Sequence, residues 1–252
     1  MSIDKKNVLI TGGAGGLGRE TVRTLAREGA NVFVLDVNEA AGNALASEIN
    51  QTHQAIGNVE FILCDLTDLN ETRECVSKLE KQNAGIDILI NNAAIYPSKN
   101  LLEYSMDEYR KVQTVNVEAG IVCTKAIVPS MIKKQWGRII NVSSITFYGG
   151  WAKLMPYVVS KASLVGLTRA LARELGEHGI TVNAIAPGAF PTDAEKIHPD
   201  PEGYNQHVLD QQSLKRRGHP RDIANTILFF SSEASSFITG QLLNVDGGWV
   251  MK

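Results

Sequence analysis

The chain has 252 residues, 44% of them apolar and 21% charged, with a formal net charge of −2. That allows one large α/β domain or two small ones around a sizeable core, and it offers no basic surface of the kind that binds nucleic acid. No uninterrupted run of about 18 apolar residues occurs, so no membrane span is expected; Met1 to Lys6 carries no apolar signal region, so a cytoplasmic protein is expected.

The first strand, Val8-Leu9-Ile10, runs into a turn of Thr11-Gly12 with Gly16, Leu17 and Gly18, and Arg19 to Glu28 reads as a helix. Strand, glycine turn and helix make a pyrophosphate cradle: glycines let the backbone approach the phosphates, and the helix start offers unpaired N–H groups. The spacing is looser than Gly-x-Gly-x-x-Gly, so the loop alone could be an ordinary turn. The next strand, Asn31 to Leu35, ends in Asp36, which either caps the strand or accepts the hydroxyls of an adenine ribose. Val37 follows, and no Arg or Lys is there to receive a 2′-phosphate. The expected cofactor is NAD.

Glu39 to Asn50 reads as a helix, Val59 to Cys64 as a strand ending at Asp65, and Leu69 to Gln82 as a helix. Ile86 to Ile90 is a strand ending in Asn91-Asn92-Ala93-Ala94. A helical stretch runs from Met106 to Lys133. Arg138 to Val142 is a strand ending at Ser143-Ser144, Pro156 to Leu175 a helix, and Ile180 to Ile185 a strand ending at Pro187-Gly188. Arg221 to Ser231 is helical and Leu242 to Val245 a last short strand. Seven apolar strands alternating with helices predict an α/β protein: a doubly wound parallel sheet with helices on both faces, in one domain spanning 1–252. Ala189 to His219 is irregular, with a possible short helix at Tyr204 to Gln212, and reads as a substrate lid. Asp36, Asp65, Asn91, Ser144 and Pro187-Gly188 all fall at strand C-terminal ends, the rim where open parallel sheets bind ligands.

Tyr157 and Lys161 are four apart near a helix start and share a face. A free phenol titrates near 10; a neighbouring ammonium favours phenolate and would lower that value, making Tyr157 an acid–base group. Ser144, thirteen residues earlier, could hydrogen-bond the same oxygen. Taken alone, Tyr-x3-Lys occurs by chance in many helices.

These motifs in this order resemble the classical short-chain dehydrogenases/reductases: Thr11-Gly12 with Gly16 and Gly18, Asp65, Asn91-Asn92-Ala93, Asn116, Ser144, Tyr157 with Lys161, Pro187-Gly188 and Asp246-Gly247-Gly248. The resemblance runs from Asn7 to Trp249 and implies a Rossmann fold, a nicotinamide cofactor and a catalytic tetrad of Asn116, Ser144, Tyr157 and Lys161. Tyr157 would be the acid/base, Ser144 would orient the substrate oxygen, Lys161 would hold the nicotinamide ribose, and Asn116 would anchor a relay water. It further implies that Asp65 and Leu66 meet the adenine and Asn92, beside Ala93, the adenine-side ribose. Ile185, Pro187-Gly188 and Thr192 would close over the nicotinamide. A homotetramer is also implied.

Two positions depart from the pattern or compete with it. Ala94 stands where the family has glycine, which could shift the loop Ile95-Tyr96-Pro97. Ser143 competes with Ser144; the family spacing to Tyr157 favours Ser144 and leaves Ser143 structural. Tyr148 is a weaker rival to Tyr157, lacking a lysine four residues on. Tyr96, Ile145, Thr146, Trp151, Ala189 and Phe190 flank the rim and either pack the core or line an apolar substrate pocket. His53, His178, His198, His207 and His219 have no ligand spacing and read as solvated surface; Trp136 reads as packing. Cys64, Cys75 and Cys123 match neither a disulfide framework nor a zinc pattern and read as buried reduced thiols, with no metal site expected.

The expected activity is an NAD-dependent interconversion of an alcohol and its carbonyl. Residues 95–97, 136–141 and 145–147 resemble members acting on cyclic or aromatic alcohols. A 3-oxoacyl thioester reductase, which normally takes NADPH, and a non-catalytic dinucleotide-binding regulator are the alternatives; Asp36 speaks against the first and the tetrad against the second.

Overall fold

A computed structural model describes residues 2–52, 56–192, 195 and 199–252. The chain alternates strand and helix: β1 (Asn7–Thr11), α1 (Gly16–Arg27), β2 (Asn31–Asp36), α2 (Glu39–Gln51), β3 (Val59–Leu63), α3 (Leu69–Gln82), β4 (Ile88–Asn91), α4 (Met106–Gln113), α5 (Ala119–Lys134), β5 (Gly137–Val142), α6 (Thr146–Gly149), α7 (Met155–Leu175), β6 (Ile180–Pro187), α8 (Pro201–Gln211), α9 (Pro220–Ser231) and β7 (Leu242–Val245). All seven strands are parallel, in the order β3-β2-β1-β4-β5-β6-β7. The order reverses at β1, so the C-terminal ends of β1 and β4 open a crevice between them, the place such sheets bind ligands.

Side-chain alternation along the central strands builds two cores. Val8 and Ile10 of β1 pack with Val22 and Leu25 of α1 and Ile223 and Ile227 of α9, while Leu9 of β1 and Leu89 of β4 pack with Val76, Cys123 and Ile127 from α3 and α5. Strands buried on both faces read as continuous apolar runs for this reason.

The sequence placed most elements within two residues, and the differences have local causes. Helix α1 begins at Gly16, three residues before the expected Arg19, because Gly16 and Gly18 lie inside its first turn. Strand β6 extends to Pro187, a proline accommodated at the strand end. Met106 to Lys134 is interrupted by a π turn at Thr114–Glu118. This helical run is long and apolar enough on average to cross a membrane, unlike the expectation from uninterrupted runs; 44% of its most apolar window is buried, as in the core helix of a sheet protein. Helix α6 had no sequence signal beyond four residues after a strand.

Helix α8 covers Pro201–Gln211 of the expected lid, started by Asp200, whose carboxylate accepts from the Gly203 N–H at 2.9 Å. His53 and His198 lie outside the described residues. His178 sits 3.8 Å from Glu177, His207 packs edge-on to Trp249, and exposed His219 caps α9 by accepting from the Arg221 N–H at 3.1 Å. Trp136 is indeed a packing residue, gripped between the Lys6 ammonium at 3.8 Å and the Arg138 guanidinium at 4.4 Å.

Candidate active site

The glycine turn is shaped by backbone geometry that side chains would block. Gly12 has φ +66°, and a Cβ there would lie 2.7 Å from the Ala93 Cα; one on Gly18 would lie 2.4 Å from the Gly12 carbonyl oxygen and 2.8 Å from the Gly13 Cα. Gly12 meeting Ala93 and Gly18 meeting Gly12 stack the turn onto the end of β4. The Asn-Asn-Ala motif supplies the other half. The Thr11 hydroxyl accepts from the Asn92 and Ala93 N–H groups, both at 3.1 Å, and the Asn92 amide donates to the Thr11 and Gly12 carbonyls at 3.0 and 2.8 Å. Asn92 therefore locks the turn as well as bordering the cleft. Ala94 lies outside the set of positive-φ residues and lines the cleft without strain.

Helix α1 has Gly15 at its N-cap, so no side chain caps it, and no acidic residue stands in its first turn. Its first N–H groups face the crevice, a ready site for a phosphate. At the end of β2, one Asp36 oxygen accepts from the Ala14 N–H and the other from the Asn38 N–H, both at 3.0 Å, so the carboxylate is fixed at the cleft edge. Asp65 accepts from the Thr67 N–H at 2.9 Å, a bond that holds its pKa below the usual carboxylate value, and Leu66 is buried beside it. A cleft of about 760 Å³ runs from these residues to Tyr157 and Lys161, with Pro187, Gly188 and Thr192 on its wall. A cradle that a Cβ would fill, an uncapped helix start and a fixed acceptor fit a dinucleotide.

At the far end, the Tyr157 hydroxyl hydrogen-bonds Ser144, at the end of β5. Ser143 turns the other way: its hydroxyl donates to the Lys161 carbonyl at 2.7 Å inside the core. Just past the end of β5 the two hydroxyls thus take different partners, Ser143 the α7 backbone and Ser144 the Tyr157 hydroxyl. Lys161, 2% exposed, donates to the Val142 carbonyl at 2.6 Å and lies 5.6 Å from the Tyr157 ring centroid. Asn116 sits in the π turn, where a wider ring displaces one residue from the helical ladder. Its amide donates to the Ile95 carbonyl at 3.0 Å and the Ser160 hydroxyl at 2.9 Å, and its oxygen accepts from the Ile95 N–H at 2.8 Å. It ties the loop after β4 to α7.

One electrostatic expectation is corrected. Burial pushes the Tyr157 hydroxyl up to about 12, opposed by the hydrogen bond from Ser144, and burial pulls Lys161 down to about 7. In the protein by itself desolvation dominates the Tyr157 hydroxyl, and the phenol form is favoured.

Among the expected pocket residues, Tyr96 meets the Tyr157 ring edge-on at 6.0 Å and 76°, and Thr146, Trp151, Ala189 and Phe190 line the cleft. Ile145 does not: it is 2% exposed, turned into the interior below Ser144. Tyr148 is not on the cleft wall and stacks on Phe147 at 4.0 Å. The cleft also takes in Lys111, Leu154, Glu195 and Tyr204, which sequence reasoning missed. Only the helical signal near Tyr204 hinted at one of them. Arg217 pairs with Glu195 and donates to Asn205 at 3.0 Å, tying two stretches of the 189–219 segment to α8.

A family model described as "Enoyl-(Acyl carrier protein) reductase" matches residues 12–250. The 3-oxoacyl-[acyl-carrier-protein] reductase FabG of Thermotoga maritima is 35% identical over 252 residues, the full length of both chains. The (2S)-[(R)-hydroxy(phenyl)methyl]succinyl-CoA dehydrogenase subunit BbsD of Thauera aromatica is 36% identical over 253 residues, covering 98% of each. A solved structure from Beutenbergia cavernae, described as a candidate NAD(P)-dependent gluconate 5-dehydrogenase with NADP bound at low occupancy, superposes with a TM-score of 0.92 at 32% identity, covering 98% of each chain. With seven parallel strands, the glycine cradle and this match, the chain belongs to the classical short-chain dehydrogenase/reductase family, a class of nicotinamide-dependent oxidoreductases.

Proposed function

We propose that this protein is an NAD-dependent dehydrogenase that interconverts a secondary aromatic or benzylic alcohol and its ketone. The observation that carries the reading is one cleft with a fixed carboxylate, Asp36, at one end and the Ser144–Tyr157 hydrogen bond at the other, walled there by Tyr96, Trp151, Phe190 and Tyr204. Gly12, Gly16, Leu17 and Gly18 with the α1 start would hold the pyrophosphate, Asp36 the adenine ribose hydroxyls, Asp65 and Leu66 the adenine, and Lys161 the nicotinamide ribose. A bound nicotinamide supplies the hydride acceptor or donor. Tyr157 takes the hydroxyl proton as phenolate when the alcohol is oxidised and returns it as phenol when the carbonyl is reduced. Ser144 holds the same oxygen. The roughly 12 of Tyr157 in the protein alone must fall for the oxidising direction, which Lys161 as ammonium beside a cationic ring would bring about. Asn116 keeps Ile95 and Ser160 registered behind this pair and would anchor the relay water.

The aromatic wall supports a ring-bearing substrate. So does the name of the Thauera relative, which acts on a hydroxy(phenyl)methyl carbon, and so does the likeness of residues 95–97 and 136–141 to 1-phenylethanol dehydrogenase and of 145–147 to pyridoxal 4-dehydrogenase. The 189–219 segment would cover the substrate. Exposed Phe237, Leu243 and Met251 favour self-association, for which a homotetramer is proposed.

The second reading, a 3-oxoacyl thioester reductase, is favoured by 35% identity to several FabG proteins. The test follows NADH and NADPH absorbance with 1-phenylethanol and related alcohols, their ketones and a 3-oxoacyl thioester. Turnover of the aromatic pair with NAD, lost in Tyr157→Phe while NAD binding persists, supports the first reading. Turnover restricted to the thioester with NADPH replaces it with the second.

A further inference from the structure

The three cysteines, read from sequence as unrelated buried thiols, are not all apart. Cys64 follows β3, and α3 then brings Cys75 back over it: the Cys64 Sγ, the Cys75 Sγ and a Glu71 carboxylate oxygen all lie within 4.8 Å of one another. Glu71 and Cys75 are four apart near the start of α3 and share one helical face, so the strand end and the helix close on the same point. All three cysteines are free thiols. Burial runs in a gradient through the group: Cys64 is fully buried, Cys75 partly, and Glu71 is exposed.

We propose that Cys64, Glu71 and Cys75 form a binding site for a thiophilic divalent cation of the zinc class. Two thiolates and one carboxylate suit such an ion: with metal–sulfur distances of about 2.3 Å a tetrahedral site holds its two sulfurs about 3.8 Å apart, within the 4.8 Å that already encloses these atoms. Two sulfur ligands and a single carboxylate exclude a hard ion such as magnesium, which takes oxygen donors. Water completes a tetrahedron. The gradient of burial gives the entry path, from the exposed carboxylate past the half-exposed thiol to the buried one. Uptake exchanges the two thiol protons, released to solvent, for the cation. In the metal-free protein the Cys64 thiol donates to the Thr72 hydroxyl at 3.9 Å, a contact whose proton leaves when the sulfur becomes a ligand. The site lies outside the catalytic end of the cleft but adjoins its adenine end, since Cys64 immediately precedes Asp65.

The test uses the whole protein, reduced with a phosphine and freed of metal, titrated with Cd²⁺ while the ultraviolet charge-transfer absorbance of cadmium–thiolate bonds is followed, then competed with Zn²⁺. The expected result is one equivalent of Cd²⁺ with a two-thiolate band, displaced by Zn²⁺. Cys75→Ser should abolish the stoichiometric band, and Glu71→Gln should weaken binding by at least the roughly tenfold that loss of an outer-shell partner costs, since Glu71 is a direct ligand. Cys123→Ala, outside the group, should keep it. Glu71 is exposed, and Cys75→Ser changes only one partly buried atom at the edge of the core, so both variants should fold, which far-ultraviolet circular dichroism verifies. A band that survives in Cys75→Ser, no band in the native protein, or a mass two hydrogens lower in air that marks a Cys64–Cys75 disulfide in place of metal binding would each overturn the proposal.

Discussion

Gly18→Ala is the sharpest probe of the cofactor cradle. The added methyl would sit 2.4 Å from the Gly12 carbonyl oxygen and 2.8 Å from the Gly13 Cα, so the atoms it meets are backbone and cannot rotate away. The turn must open, either unstacking Gly12 from Ala93 or lifting the first turn of α1. Overpacking of this kind costs about 1–3 kcal/mol, which for a chain of this size lowers the melting temperature by about 2–4 °C per kcal/mol. Because the displaced atoms are the cradle itself, NAD binding should weaken by about tenfold per 1.4 kcal/mol of that distortion. Gly15→Ala is the control. Its φ is −136°, and a Cβ there meets nothing within 4 Å, so the protein should melt normally. Any loss of NAD affinity in Gly15→Ala would then report only on how closely the phosphates approach. Differential scanning fluorimetry with and without NAD, and calorimetric titration of both variants, decide the matter. A Gly18→Ala protein that melts and binds NAD like the parent would refute the packing argument.

Other outcomes follow from the same geometry. Ser143→Ala removes a buried bond to the Lys161 carbonyl and should cost about 1 kcal/mol of stability with kcat nearly kept; Ser144→Ala should keep the melting point and lose kcat by at least tenfold, measured by steady-state kinetics. Asp36→Ser should raise the KM for NAD and lower that for NADP, since the fixed carboxylate that accepts ribose hydroxyls would repel a 2′-phosphate; a preference for NADP in the parent protein would reverse that reading of Asp36. In the apoprotein, Lys161 holds its proton less tightly than in the unfolded chain, about 7 against an ordinary 10.5, so the unfolded state binds more protons between those values and stability should rise with pH across them. Tyr157 has the opposite sign: raised from 10 to about 12, its contribution is complete below 10 and lost above it. Denaturant melts at stepped pH, with Lys161→Met as the variant in which the rise between 7 and 10.5 disappears, measure the first effect.

The physical chemistry of single elements was legible in the residues. Continuous apolar strands alternating with helices require a parallel sheet with both faces covered, and glycines at a strand–helix turn require a backbone that side chains would block. Polar residues at strand ends gather on one rim because the strands are parallel. Of the residues this places on the rim, Asp36, Asp65, Ser144 and Pro187-Gly188 line one cleft; Asn91 does not, being buried with its amide donating to the Asn141 side-chain oxygen at 2.8 Å.

What depended on the folded chain was everything decided by neighbours distant in sequence. Ile145 fails as a pocket residue because the chain turns inward after Ser144, and Glu195 and Tyr204 join the cleft because segment 189–219 and α8 pack over it. The Tyr157 hydroxyl rises where the motif alone predicted a fall, because desolvation depends on what surrounds the side chain and spacing does not encode that. Cys64 and Cys75 look unrelated in the sequence and share a point in space because a short connection after β3 leads into α3, whose second turn lies beside the strand end. Local sequence sets periodicity, caps and forbidden Cβ positions; burial and cross-chain proximity are properties of the packed whole, and they fix the protonation state and shape of the site.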